Sequence, residues 1–485
     1  MGAGLSSKFN ILQKSPHDIT PPQHEHELPV ADSPVAHWAP SRYTVRATTA
    51  DNRLILWNTL TGSMSVFPEA QAEQVKKLLG HSGIDSQPEG LVGYLVDRGY
   101  LIKEGISEYR RLQYAVGRQQ HRSDILQFIL LASEDCNFRC QYCYENFARG
   151  TMEPWVRSGI KRLVEKRLPL LKQLRATWFG GEPLYGFEAI EDLAPFFAEV
   201  AQKNSLSYSS DMTTNGYLLT PEVADKLLAW KVLYYQITID GPPEFHNCSR
   251  PNREGGGTFE TIFENLRSLH ARPEFFHVTL RVNFDQNNYP HLAPFFNLIQ
   301  HELADDKRFE LRFRAVGRWG GPRDQELSVC GEDDGQKIQH QLEDEARRRG
   351  LNVEGGIKQF NWLGGQVCYA ARPYNFIVGA SGKLMKCTVA LDTKDYNVVG
   401  SIDENGDLKL DQDKMALWTE PAFENDTKCK KCVVLPICQG THCPIIRIEQ
   451  DKSPCTPLRA NLKREMLTTH QLSGEQLKKR QVQSA

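Results

Sequence analysis

The sequence predicts an α/β protein built around a parallel sheet, and three observations carry that expectation. From residue 123 onward, six apolar runs of strand length alternate with five stretches of helical spacing. Each of the first five runs leads into a polar or glycine-bearing cluster, always at the same end. The first of those clusters holds three cysteines in C-x3-C-x2-C spacing, Cys136, Cys140 and Cys143.

In chain order, residues 1–40 carry six prolines and no apolar periodicity, and are expected to form a disordered arm. Residues 41–122 read as a small domain. Tyr43–Thr48 and Arg53–Trp57 form a hairpin across Ala50-Asp51-Asn52, and Asn58-Thr59-Leu60-Thr61-Gly62 turns the chain. Helices are expected over Glu69–Leu79 and Glu89–Asp97, the second stopped by Gly99 before a short strand. The six later strands are Ile125–Ala132, Ala176–Phe179, Ser207–Thr213, Tyr234–Ile239, His277–Asn283 and Phe309–Ala315. Between them, Trp155–Leu174, Leu184–Lys203, Pro221–Trp230, Phe259–Leu269 and His291–Glu302 have helical spacing. Thr220-Pro221-Glu222 supplies a cap, a proline at the first helical position and an acid in the first turn. The expected boundaries are 123–330 for this αβ unit, 331–362 for a linker with a helix, 363–460 for a cysteine-rich domain and 461–485 for a tail.

At 485 residues the chain has room for two or three domains, and 40% apolar with 24% charged content fits a globular class. A net charge of −2 gives no electrostatic reason to expect nucleic acid or an anionic membrane as partner. No apolar stretch approaches the roughly 20 residues of a membrane span. The N-terminus lacks the basic start and apolar core of a secretion signal, so a cytoplasmic location is expected. In that reducing compartment clustered cysteines point to metal rather than disulfides.

Three thiolates can hold three corners of a four-iron, four-sulfur cluster and leave the fourth iron open to a chelating amine and carboxylate. A zinc knuckle is the alternative, but structural zinc wants four closed ligands. Seven further cysteines crowd toward the C-terminus: Cys368, Cys387, then Cys429-x2-Cys432-x5-Cys438-x4-Cys443, and Cys455. Cys248 and Cys330 stand apart and read as small buried side chains.

The C-x3-C-x2-C motif with Tyr142 before its last cysteine resembles the radical S-adenosylmethionine (SAM) superfamily. That resemblance implies a partial (β/α)6 TIM-like barrel, a [4Fe-4S] cluster on Cys136, Cys140 and Cys143, and SAM on its open iron. It further implies that Gly180, Gly181 and Glu182 bind the SAM amino group, with Thr214, Asn215 and Asp240 on its ribose or methionyl groups. Arg250 and Arg281 would face the SAM carboxylate or the substrate. The seven late cysteines resemble the SPASM extension with two auxiliary [4Fe-4S] clusters, making three clusters in all. Cys429, Cys432, Cys438 and Cys455 would hold one; Cys368, Cys387 and Cys443 the other, its fourth ligand open, a non-cysteine group or Cys330. The 41–122 segment resembles winged-helix leader-recognition domains of peptide-modifying enzymes.

The family resemblance implies a peptide or protein substrate and an electron donor of flavodoxin or ferredoxin type. Hydrogen abstraction by a 5′-deoxyadenosyl radical would then form a thioether or carbon–carbon cross-link, or invert a stereocentre. Anaerobic sulfatase maturation is the alternative within the family. Its enzymes carry an aspartate base directly after the cysteine matching Cys387, where this chain has Thr388, with Asp392 the nearest acid. A zinc-binding interaction protein is the alternative from another class.

Overall fold

The computed structural model describes residues 36–120, 122–147, 149–355, 367–424, 426–440 and 443–483. Most of the expected arm, and residues 356–362 of the expected linker, lie outside them. Ala36–Pro40, placed by sequence inside that arm, instead forms strand β1. It pairs antiparallel with Ile84–Ser86 on one side and Leu101–Lys103 on the other, so only non-local partners make it a strand.

Strands β2 (Thr44–Thr48), β3 (Leu54–Asn58) and β4 (Met64–Phe67) form an antiparallel sheet, turned between β2 and β3 through Asn52 at φ 59°. All five residues of β3 are buried, because the sheet is covered on both faces. Leu54 and Leu56 pack with Val75, Leu95 and Tyr100. Ile55 and Trp57 point the other way, into Val434, Ile437, Leu462 and Met466. The expected tail at 461–485 therefore begins inside a packed helix, Leu458–Gln483. Helices α1 (Glu69–Leu78), α2 (Gly90–Asp97) and α3 (Glu108–Gln120) and strands β5 (Ile84–Ser86) and β6 (Leu101–Lys103) complete this part.

The six expected parallel strands are present as β7 (Ile125–Ser133), β8 (Gln173–Gly180), β9 (Ser207–Thr214), β10 (Val232–Thr238), β11 (His277–Phe284) and β12 (Phe309–Ala315). They lie in chain order across the sheet, all parallel. In β11, Val278, Leu280, Val282 and Phe284 are buried in the core with the helices, while His277, Thr279, Arg281 and Asn283 alternate onto the opposite, inner face. The first crossover helix stops at Arg167, seven residues short of the expected Leu174. Pro169 has no N–H for the next rung of the ladder, and β8 then starts early, at Gln173.

The expected boundary between the αβ unit and the cysteine-rich domain does not divide the sheet. Asn375–Val378 (β13) pairs parallel with β7, and Lys383–Met385 (β14), Val398–Ile402 (β15) and Leu408–Leu410 (β16) continue antiparallel, giving ten strands in one sheet. At the far edge, a helix over Glu332–Arg348 returns the chain so that Val353 bridges Leu311 of β12. No helix among the described residues is long and apolar enough to cross a membrane.

Candidate functional site

The loops that follow β7 to β11 converge at one end of the sheet, as expected of parallel αβ strands. Their polar residues face one another, and the cysteine loop sits among them.

Gly180 and Gly181 also have a packing role within the protein. A Cβ on Gly180 would lie 2.0 Å from the Ser133 carbonyl oxygen, and one on Gly181 would lie 2.5 Å from that of Asp135. Their missing side chains let the end of β8 close on the root of the cysteine loop, sealed by Gly181 N–H to Ser133 O and Glu182 N–H to Asp135 O, both 3.0 Å. Glu182, fully buried, accepts from Leu184 N–H (3.0 Å), the Thr214 hydroxyl (2.7 Å) and Asn215 N–H (2.7 Å). Its carboxylate thus ties the β8 loop to the β9 loop. Burial raises its pKa, against the pull of those bonds. Asn215 in turn donates to Asn137 (2.7 Å) and points Nδ2 at Cys136 Sγ (3.9 Å).

Tyr142 is the hub on the other side. Its hydroxyl donates to Asp240 Oδ2 (2.6 Å) and accepts from Arg250 Nη1 (2.6 Å) and Asn283 Nδ2 (2.9 Å). Asp240, fully buried, also accepts from Ser249 Oγ and Asn283 N–H. Arg250 is 6% exposed and its Nε has no partner among the described residues. Among the described residues the Arg281 side chain donates to the neutral Asn283 Oδ1 (2.7 Å).

Sequence reasoning missed three supports. The stretch Ser249–Arg253 runs antiparallel to the cysteine loop, through Gln141 N–H to Ser249 O, Arg139 N–H to Pro251 O and Arg253 N–H to Asn137 O. Arg253 also clamps the Asp135 carboxylate. His246 accepts Asp240 N–H at Nδ1 and contacts Thr258 at Nε2 (3.1 Å). Gly321, in the loop after β12, packs where a Cβ would lie 2.6 Å from the Cys143 carbonyl oxygen. The R-P-N-R run and the glycine pair at 320–321 were the available signals. Glu145 was also missed; burial, helped by Glu134 and Glu182, pushes its carboxyl up to about 8, so it keeps its proton at neutral pH.

The cysteines fall into three groups. Cys136, Cys140 and Cys143 lie within electrostatic reach of one another. So do Cys368, Cys387 and Cys443, and likewise Cys429, Cys432, Cys438 and Cys455, the last accepting from Arg459 at 3.2 Å. Cys330 lies against Gly335, near Asp285 and Asp334. Among the described residues no three His, Cys, Asp or Glu side chains gather as one metal ion would require. Burial pushes the Cys143 thiol up to about 12 and raises Cys136 and Cys140, so holding thiolates there calls for a cationic core. The orphaned Arg250 Nε fits a carboxylate beside it.

Residues 130–292 match the family profile "Radical SAM superfamily". That stretch is similar to a radical SAM domain. The radical SAM cyclopropyl synthase TigE of Paramaledivibacter caminithermalis is 23% identical over 205 residues, covering 38% of this chain and 42% of TigE. The serine-type anaerobic sulfatase-maturating enzyme of Klebsiella pneumoniae is 21% identical over 334 residues, 64% of this chain and 79% of that enzyme. Native anSMEcpe with bound AdoMet and Cp18Cys peptide superposes with a TM-score of 0.54 at 18% identity, over 72% of this chain and 98% of that one, which is a likeness of fold. The chain spans about half the length of the curated relatives it matches first, 42% for TigE and 56% for the next.

Proposed function

We propose that the chain is a radical SAM peptide maturase with a cofactor-binding core and two auxiliary cluster sites. The observation that carries this reading is the cysteine loop itself. Three neighbouring thiols close β7, beside a buried guanidinium with an unspent donor. When bound, a [4Fe-4S] cluster with SAM supplies a 5′-deoxyadenosyl radical for hydrogen abstraction from the peptide. Cys136, Cys140 and Cys143 would hold that cluster. Arg250 would take the SAM carboxylate, and Asn215, next to Cys136, the neighbouring polar groups. Glu182, Tyr142 and Asp240 would act by fixing the loops, since their hydrogen bonds run to protein groups.

Cys429, Cys432, Cys438 and Cys455 would hold one auxiliary cluster. Cys368, Cys387 and Cys443 would hold the other, with three protein thiols. The segment 36–120 would grip the precursor as a winged-helix-like module, and a flavodoxin- or ferredoxin-type protein would deliver electrons. The product would be a thioether, a carbon–carbon cross-link or an epimer.

Sulfatase maturation is the second reading, favoured by the 334-residue match to the Klebsiella pneumoniae enzyme. Its aspartate base is replaced by Thr388, whose hydroxyl pairs with that of Tyr369 at 2.8 Å. Asp392, the nearest acid, is bound to Arg149 (2.6 Å) and Lys383 (3.2 Å). Burial alone would raise its pKa, but those partners hold the carboxyl below its usual range. Anaerobic reconstitution tests the proposal. About 12 irons per chain and 5′-deoxyadenosine on reduction are expected; a colourless zinc protein would overturn it. Mass spectrometry after co-expression with a precursor peptide would name the bond formed.

A further inference from the structure

We propose that the inner face of β11 and β12 is a carboxylate subsite, in which Arg281 and Arg314 receive an acidic side chain or the chain-end carboxylate of the substrate peptide. The inference rests on the maturase reading and adds the chemistry of its substrate. In the parallel register Arg281 stands opposite Arg312, and Asn283 opposite Arg314. Two-residue alternation puts all three arginines on the inner face. Like charges on adjacent strands repel. Three guanidiniums in so small an area need anions, and among the described residues Glu354 is the carboxylate seen bonded to them. Glu354 meets Arg312 with two bonds, Nε to Oε2 at 2.5 Å and Nη2 to Oε1 at 2.6 Å, and lies 3.6 Å from Arg314.

The other nearby carboxylates are committed elsewhere. Asp240 serves Tyr142, Ser249 and Asn283, and Glu343 pairs with Arg464 at 3.1 Å. Arg281 and Arg314 otherwise donate to neutral oxygens, those of Asn283 and the Phe313 backbone. Burial and mutual repulsion hold both guanidiniums below their usual basicity, as expected for cations short of a counter-charge.

SAM does not repair the deficit. It brings one carboxylate but also an ammonium and a sulfonium, so its net charge is positive, and Arg250 offers its carboxylate a nearer donor beside Cys140. A peptide carboxylate would be held by forked N–H donors, which suit it bidentately. The Arg314 side chain is 43% exposed, so a peptide entering at the C-terminal ends of the strands can reach it.

The test uses the full-length, reconstituted enzyme with SAM present and two probes, acetyl-Gly-Glu-Gly-amide and its glutamine counterpart, titrated anaerobically by calorimetry at low salt. The glutamate probe is expected to bind about tenfold more tightly. Arg314→Gln should shrink that preference to within about twofold, and Arg314→Lys should keep part of it. Equal binding of the two probes, or no binding of either, overturns the proposal. A fall in SAM affinity in Arg314→Gln, read by equilibrium dialysis, also overturns it by assigning this guanidinium to the cofactor carboxylate. Should Arg314→Gln fail to fold, the two probes on the unaltered enzyme still decide. The maturase reading fails separately, by an absence of 5′-deoxyadenosine, because probe binding needs no turnover.

Discussion

Replacing Tyr142 by Phe removes one oxygen and three hydrogen bonds. The hydroxyl donates to Asp240 and accepts from Arg250 and Asn283, and Arg250 and Asp240 show no direct ion pair, so it is the link between a buried cation and a buried anion. A hydrogen bond to a charged partner contributes roughly 1.5–3 kcal/mol net, so the two charged partners here make about 3–6 kcal/mol. A water filling the gap recovers part of that, and about 3 kcal/mol is the working figure, near 150-fold in an equilibrium constant.

The loss is local, so the assay should be as well. Amide hydrogen exchange reads the Asp240 N–H, bound to His246 at 3.2 Å, and the Asn283 N–H, bound to Asp240 at 3.3 Å. In Tyr142→Phe both are expected to exchange about 100-fold faster, while amides of β2 to β4 keep their rates. If the variant is folded and those two amides stay within about threefold of the parent, the hydroxyl carries no net tie and the reasoning is wrong.

Gly181→Ala would force the Asp135 carbonyl away from a Cβ at 2.5 Å, at a cost of about 1–3 kcal/mol; reconstituted iron should fall from about 12 toward about 8 per chain, and full uptake would contradict it. His246 is held neutral, since burial drives its pKa well below the usual value. Its folded pKa is depressed, so its contribution is complete above the unfolded value of about 6.5 and declines as pH falls below that. Nitrogen NMR should show a neutral ring still at pH 5; titration near 6.5 in the folded protein would refute this. Trp57→Ala removes a fully buried ring between β3 and the helix carrying Leu462 and Met466, and should cost about 3–5 kcal/mol. Limited proteolysis should then release the segment before α3 faster than in the parent; unchanged cleavage would argue against that packing.

The parallel strands were legible because their signal is local: apolar runs of strand length, bounded by turn residues and spaced by amphipathic helices. What was illegible depended on partners distant in sequence. Ala36–Pro40 lies among prolines and becomes a strand only against Ile84–Ser86 and Leu101–Lys103. Asn375–Val378 is four residues long, too short to carry a period, and takes its direction from pairing with β7. The Gly-Gly-Glu-Pro turn is legible as a motif, but its packing role is not: a Cβ on either glycine would meet the backbone of Ser133 or Asp135. A motif shows that a Cβ is unwelcome and does not say which atoms exclude it.

The polar clusters at the strand ends carry a further argument. Burying Glu182, Asp240, Asn215 and Asn283 is tolerable only if each is paired, and each is, mostly with a residue from another loop. That cross-pairing fixes the loops before any ligand arrives, so a cofactor would meet a site that needs little further ordering. Three guanidiniums depart from this self-sufficiency, Arg250, Arg281 and Arg314, and the first and last differ in access. Arg250 is 6% exposed and lies against the cysteine loop, whereas the Arg314 side chain is 43% exposed on the last parallel strand. On the proposed assignments the two cations serve different ligands, Arg250 the SAM carboxylate and Arg314 a peptide carboxylate. Arg314→Gln should therefore leave SAM affinity unchanged in equilibrium dialysis, and a fall would break that division.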